Sequence, residues 1–404
     1  MHHISYSMSS VALKKENIPP EEDLNKLKTG NSQHRVALSD VTSQVNNKSY
    51  PTTSSSTSLT KVQSQNGAKQ INTNGDMDSE TQCDEKLNLN KVKAGKVNEP
   101  LRLTRTANDE MLLKHVNKKY FRSSPDPNDE DSYDVVMVPE LTNDIFPYLR
   151  SLETRLRPNP QYMQLQPHLK WTHRSTVIEW IVEVHLRFRL LPETLYLTVN
   201  IIDRFLSNQE IALNKFQLIA AAALFIASKY EEINCPTLND IIYMLNEAYS
   251  KQDILTAERL ILNVLEFELG WPGPMSFLRR VSKADDYEHE TRTLAKYLLE
   301  STIMDPRLVD AEPSWLAAGS YFLSMIILGC DTWSSAHVFY SNYTYDQIFP
   351  LAKLILENCR DPSRYHKVIW EKYSHKSQHY SSQIVSNWIL DASRRVEQQE
   401  PRCG

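Results

Sequence analysis

The chain has 404 residues, 41% of them apolar, enough core material for two or three domains. Its net charge is −5 and no basic stripe of a nucleic-acid binder runs along the sequence. The longest apolar run, FQLIAAAALFIAS at 216–228, is too short to span a bilayer, and the first residues lack the apolar stretch of a secretory signal. A soluble protein is expected, with neither nucleic acid nor membrane as partner.

Residues 1–130 hold one Phe and three Tyr among Ser, Thr, Asn, Gln and Lys, and every Trp lies at or after Trp171. Such a segment cannot offset its ordering entropy by burial, so a disordered tail over 1–130 is predicted. From about residue 136 apolar residues recur at helical spacing, as in Val177, Ile181, Val184 and Phe188. The phrase LGWPGP at 269–274 breaks that pattern and is the best internal boundary. The two sides of the break resemble each other. ETLYLTVNIIDRFL (193–206), LIAAAALFIASKY (218–230) and AERLILNVLEF (257–267) come before it. ETRTLAKYLLESTIM (290–304), SWLAAGSYFLSMIILG (314–329) and PLAKLILENC (350–359) follow it, at a repeat distance of about 95 residues. The second block of each set is rich in Ala, which suits a helix surrounded by others. Two copies of an all-α unit are predicted, each of about five helices around a central one.

HRSTVIEWIVEVH (173–185), NIIDRFL (200–206), IASKYEE (226–232) and FLRRVSKADDYEHETRTLAKYLLE (277–300) carry a resemblance to a known family. In that order they are similar to the B-type, G2/mitotic cyclins of yeasts, closest to the group acting from late S phase into spindle assembly. The likeness covers roughly 135–392. It implies an N-terminal cyclin box at 135–270 and a C-terminal cyclin fold at 271–392, with a short helix before them. It also implies a protein without a catalytic site or cofactor that activates a cyclin-dependent Ser/Thr kinase in S/G2/M. Nucleus and cytoplasm are the implied locations, although Lys14-Lys15 and Lys118-Lys119 are too thin to mark an import signal.

Arg174 and Asp203 are charges inside apolar helical stretches, and unpaired burial would cost several kcal/mol. The resemblance implies that they pair and tie the first box helix to the second. Lys229 ends the Ala-rich helix and Glu258 opens a later one. Read alone, each is a solvated helix end. The resemblance implies that both bond to the kinase's regulatory helix region, and that Tyr230, Leu262, Phe267 and Leu269 pack against it. A substrate-docking face for Arg-x-Leu peptides is implied at His173, Thr176, Val177, Trp180, Glu183 and Gln217. Here His173 and Thr176 replace apolar members of the family pattern, so weak Leu docking is expected.

In the tail, Lys15-Glu16-Asn17 resembles a KEN box and Arg35-Val36-Ala37-Leu38 a destruction box, with Ser43 where Asn is common. These imply an anaphase-promoting ubiquitin ligase as a second partner, and the family implies kinase inhibitor proteins as a third. Ser124-Pro125 is a minimal site for a proline-directed kinase. The competing reading is a cyclin-fold factor of the transcription machinery, which predicts a basic face and a zinc ribbon. The five cysteines show no Cys-x-x-Cys pairing, so no metal is expected; Cys330 and Cys359 sit in apolar helical runs. No P-loop or hydrolase signature occurs, and His185 on an apolar helix face reads as a core histidine.

Overall fold

The computed structural model of the chain describes residues 99–127, 129–133, 138–330 and 332–399, and among these every regular element is a helix. Five helices form the first lobe: α3 (Trp171–Phe188), α4 (Pro192–Asn208), α5 (Phe216–Glu231), α6 (Leu238–Met244) and α7 (Lys251–Val264). Five more form the second: α8 (Pro274–Ser282), α9 (His289–Ser301), α10 (Pro313–Ile327), α11 (Ser335–Ser341) and α12 (Tyr345–Cys359). Before them stand α1 (Ala107–Tyr120) and α2 (Thr142–Arg155), and after them α13 (Pro362–Tyr365), α14 (Lys367–Tyr373) and α15 (Ser381–Gln399).

Each lobe is organised around its Ala-rich helix. Ala220 to Ala223 and Ala227 have no exposed surface, and α5 touches α3, α4, α6 and α7. In the second lobe α10 takes that place, against α8, α9, α11 and α12. Small side chains make this possible by letting helix backbones approach. Gly319 is the extreme case: a Cβ there would meet Leu351 Cδ2 at 2.6 Å. Helix starts follow local chemistry. Thr237 and Ser250 begin α6 and α7 with reciprocal capping by Asp240 and Asp253. Pro192, Pro274 and Pro313 open α4, α8 and α10, where a missing N–H costs nothing.

The structure departs from the sequence expectation at 107–120, placed in the disordered tail. Thr106 Oγ1 accepts from Asp109 N at 3.2 Å, and Asp109 Oδ2 accepts from Thr106 N at 2.7 Å, so α1 is capped at its start. Asp109 Oδ1 also accepts from Thr344 Oγ1 at 2.5 Å. Leu113 and Val116 are buried against Val338 of α11, and Tyr120 stacks on Phe339 at 5.6 Å. Burying two such side chains contributes about 1.5–3 kcal/mol each, enough to hold one helical stripe. Cys330, expected within an apolar helix, lies beyond α10 and is exposed, whereas Cys359 is buried.

Candidate functional site

The anchor of the first lobe is a buried ion pair. Arg174 Nε and Nη2 donate to the two oxygens of Asp203, each at 2.8 Å. Tyr162 Oη donates to Asp203 Oδ1 at 2.8 Å, and Arg174 Nη1 donates to the Ile303 carbonyl at 2.9 Å. Burial works against the Arg174 charge, but Asp203 outweighs it and raises the guanidinium's pKa above its ordinary value. The parallel fork is the strong form of this bond. It joins α3 to α4 and both to the turn 302–304 of the second lobe. Towards the other end of α3 sits a core histidine: His185 is 3% exposed, and its Nε2 is 2.8 Å from the Leu191 carbonyl.

At the far end of α5 an apolar patch reaches the surface. Tyr230 is 54% exposed, Phe267 67% and Ile233 90%, with Leu191 also exposed; Leu262 and Leu269 are half-buried. Two charges rim it. Lys229 and Glu258 pair with each other, and Lys229 Nζ lies 4.2 Å from the Phe225 ring centroid. Glu232 Oε1 accepts from Leu191 N at 2.6 Å and Thr194 Oγ1 at 2.7 Å, tying the end of α5 to the start of α4.

Phe267 is presented by a constrained loop. Glu266 and Phe267 have φ of 52° and 61°, left-handed conformations that cost non-glycine residues about 1–3 kcal/mol each. Phe267 N donates to the Leu262 carbonyl at 3.0 Å, and Arg204 Nη1 donates to the Glu268 carbonyl at 2.8 Å. The buried Arg204 thus holds the loop from below. Sequence reasoning missed Arg204, Ile233 and Leu191. An Arg inside the apolar run NIIDRFL was the available signal for the first.

A second face runs along α3. His173, Thr176, Val177 and Trp180 share one side at i, i+3, i+4 and i+7. Val177 and Trp180 are buried, His173, Glu183 and Gln217 are half-buried, and Thr176 is exposed. The polar atoms expected to wet this wall are engaged elsewhere. Thr176 Oγ1 donates to the Thr172 carbonyl at 3.0 Å, and His173 Nδ1 accepts from Lys170 N at 3.1 Å. Burial, helped by Lys170, lowers the pKa of His173. Trp180 Nε1 and Gln217 Nε2, by contrast, are buried donors without a hydrogen-bond partner among the described residues. Such orphans are rare and costly.

Comparison with known proteins bears on what these faces serve. The cyclin N-terminal domain model matches residues 144–270 and the cyclin C-terminal domain model residues 272–387. G2/mitotic-specific cyclin-3 of Saccharomyces cerevisiae is 52% identical across 98% of this chain and 99% of its own length. The chain belongs to the cyclin family. G2/mitotic-specific cyclin-4 of the same yeast is 60% identical over 70% of this cyclin and 62% of its own length. G2/mitotic-specific cyclin-4 of Candida albicans is 56% identical over 69% and 57%. Both faces of this cyclin lie within the matched domains, whereas α1 and the segment after it precede them. Lys15, Glu16, Asn17, Arg35 and Leu38 lie outside the described residues. Ser124 is described, on an exposed bend after α1.

Proposed function

We propose that this cyclin is the regulatory subunit of a cyclin-dependent Ser/Thr protein kinase, without catalysis of its own. The observation that carries the reading is the exposed patch of Tyr230, Phe267, Ile233 and Leu191, rimmed by the Lys229–Glu258 pair. A kinase is active only when its regulatory helix brings a Glu to the catalytic Lys. A rigid apolar surface that fits the rotated-in helix better than the rotated-out one shifts the population toward activity. The strained Phe267 loop, held by Arg204, supplies that rigidity before any partner arrives. Lys229→Ala with Glu258→Ala should abolish activation, each lost charged hydrogen bond costing about 1.5–3 kcal/mol. Full histone-kinase activity from the folded double variant would overturn the assignment.

The α3 face supports a second role, docking of substrates with an Arg-x-Leu sequence. Trp180 Nε1 and Gln217 Nε2 are donors that an extended peptide backbone can satisfy. His173 and Thr176 offer less apolar contact than larger aliphatic side chains would. The loss corresponds to about 1–2 kcal/mol, roughly 5- to 30-fold in affinity. His173→Met with Thr176→Ile should tighten an Arg-x-Leu peptide on the kinase complex, read by calorimetry. Sub-micromolar binding by the unaltered complex would contradict the weakened face. In the cell we assign this cyclin to S/G2/M progression and spindle events, in nucleus and cytoplasm. Its removal falls to the anaphase-promoting ubiquitin ligase, with kinase inhibitor proteins as further partners. A tagged copy followed through one synchronous cycle tests that placement.

A further inference from the structure

The segment between α1 and α2 is fastened to the second lobe by acidic residues. Lys283 Nζ meets Asp129 Oδ2 at 2.6 Å and Asp131 Oδ2 at 2.5 Å, and Tyr287 Oη donates to Asp131. Lys283 is thereby neutralised. Two neighbouring guanidiniums of α8, Arg279 and Arg280, form no salt bridge among the described residues. Arg280 lies 3.9 Å from the Phe146 ring centroid, and its Nε donates to the Tyr340 carbonyl at 3.2 Å. No carboxylate among the described residues pairs with it. Burial, with Arg150 nearby, lowers its pKa to about 10, as befits a cation lacking an anion. Arg279 is exposed and, although close enough to Asp131 to help lower that carboxyl's pKa, forms no ion pair among the described residues. Both arginines, together with Arg122 and Ser124 and with the carboxylates Asp126, Asp129, Asp131 and Glu140, line a cavity of about 460 Å³. That is many times the roughly 30 Å³ share of one water molecule.

We propose that Ser124 is a phosphorylation site whose phosphate is received by the chain itself, at Arg122, Arg279 and Arg280. A proline-directed kinase transfers the γ-phosphoryl group of ATP to Ser124 Oγ. ADP leaves, and the hydroxyl proton passes to that kinase's base. Ser124 is exposed on a bend, so it is reachable. Pro125 biases it toward the extended backbone a kinase reads. The new group carries about −1.5 to −2 charges and three acceptor oxygens, and paired guanidiniums bind such groups in parallel forks. Asp129 and Asp131 already occupy Lys283, so the phosphate adds a second fastening to the first. The modified segment is clamped to α8, at a cavity that shares no residue with the patch around Tyr230.

The test uses the full chain, phosphorylated at Ser124 in vitro, with Ser124→Ala as the control that cannot be modified. Amide exchange over residues 121–127 should slow by about fivefold or more. Phosphorus NMR should place the phosphoserine's second pKa below its usual value of about 6. Arg122→Gln with Arg279→Gln should cancel both effects, leaving the Arg280 stack on Phe146 untouched. Tenfold dilution should change neither, because the receptor is in the same chain. An ordinary phosphate pKa, unchanged or faster exchange, or protection that vanishes on dilution would overturn the proposal.

Discussion

His185 and His366 are imidazoles for which the fold leaves no room for a second proton. Burial lowers both pKa values to about 4, with Lys372 adding to the effect at His185. Each Nδ1 lacks a partner among the described residues. Unfolded, both would titrate near 6.5, so between 6.5 and 4 the unfolded chain binds more protons. Stability contributed by the neutral rings is present above pH 6.5 and is lost as pH falls toward 4. Each pair of pKa values corresponds to a loss on the order of 3 kcal/mol at full titration. His185→Gln keeps a donor for the Leu191 carbonyl and removes the titration. Denaturant melts from pH 7 to 4.5 should show a shallower decline for the variant; identical slopes would mean that His185 takes no part. Legibility at this scale divides by environment. Arg174 and Asp203 announce themselves because a charge in an apolar helix needs a partner, and the structure joins them. The mutual pairing of Lys229 and Glu258 is not legible: Glu258, expected to open its helix, lies in the middle of α7, which starts at Lys251, and its side chain is only 13% exposed. Only the meeting of α5 and α7 brings them together.

The repeat of five helices is the most legible element-scale feature. Its signal is composition, a run of Ala or small residues where one helix must be approached from all sides. Gly319 shows how tight that approach is. Gly319→Ala places a methyl 2.6 Å from Leu351 Cδ2, so Leu351 or α12 must shift. Overpacking of this kind costs about 1–3 kcal/mol. A thermal melt of the variant should move down by several degrees, while a second change, Leu351→Val, should recover part of the loss. No change in melting would show that α10 and α12 have slack there. Helix α1 escaped the sequence reading for a related reason. Only Leu113 and Val116 of its core-facing side are buried and apolar, and beyond them and the Tyr120 stack its support is polar. The Asp109 bonds to Thr106 and Thr344 are invisible to any average over 130 residues.

For the whole molecule, the strings that resemble degradation signals and the folded lobes occupy different stretches of the chain. Deleting residues 1–45 removes Lys15-Glu16-Asn17, Arg35 and Leu38 but no residue of either lobe. The shortened cyclin should bind its kinase as before and persist through mitotic exit in a synchronised culture. Disappearance on the normal schedule would place the degradation signals elsewhere. The lobes themselves are less separable than their repeated pattern suggests. Arg174 of the first lobe satisfies Asp203 beside it and the Ile303 carbonyl across the boundary. Glu153 of α2 accepts from Ser314 N and Oγ at the start of α10. Opening the boundary would leave Arg174 with Asp203 but without the Ile303 carbonyl, and would take from the buried Glu153 carboxylate its donors on Ser314; hydrogen bonds to charged groups contribute about 1.5–3 kcal/mol each. Partial unfolding of one lobe is therefore penalised in the other. The two copies of one helical unit are thus coupled in stability, and a chain that loses the fold of one lobe leaves the other with fewer of its own bonds.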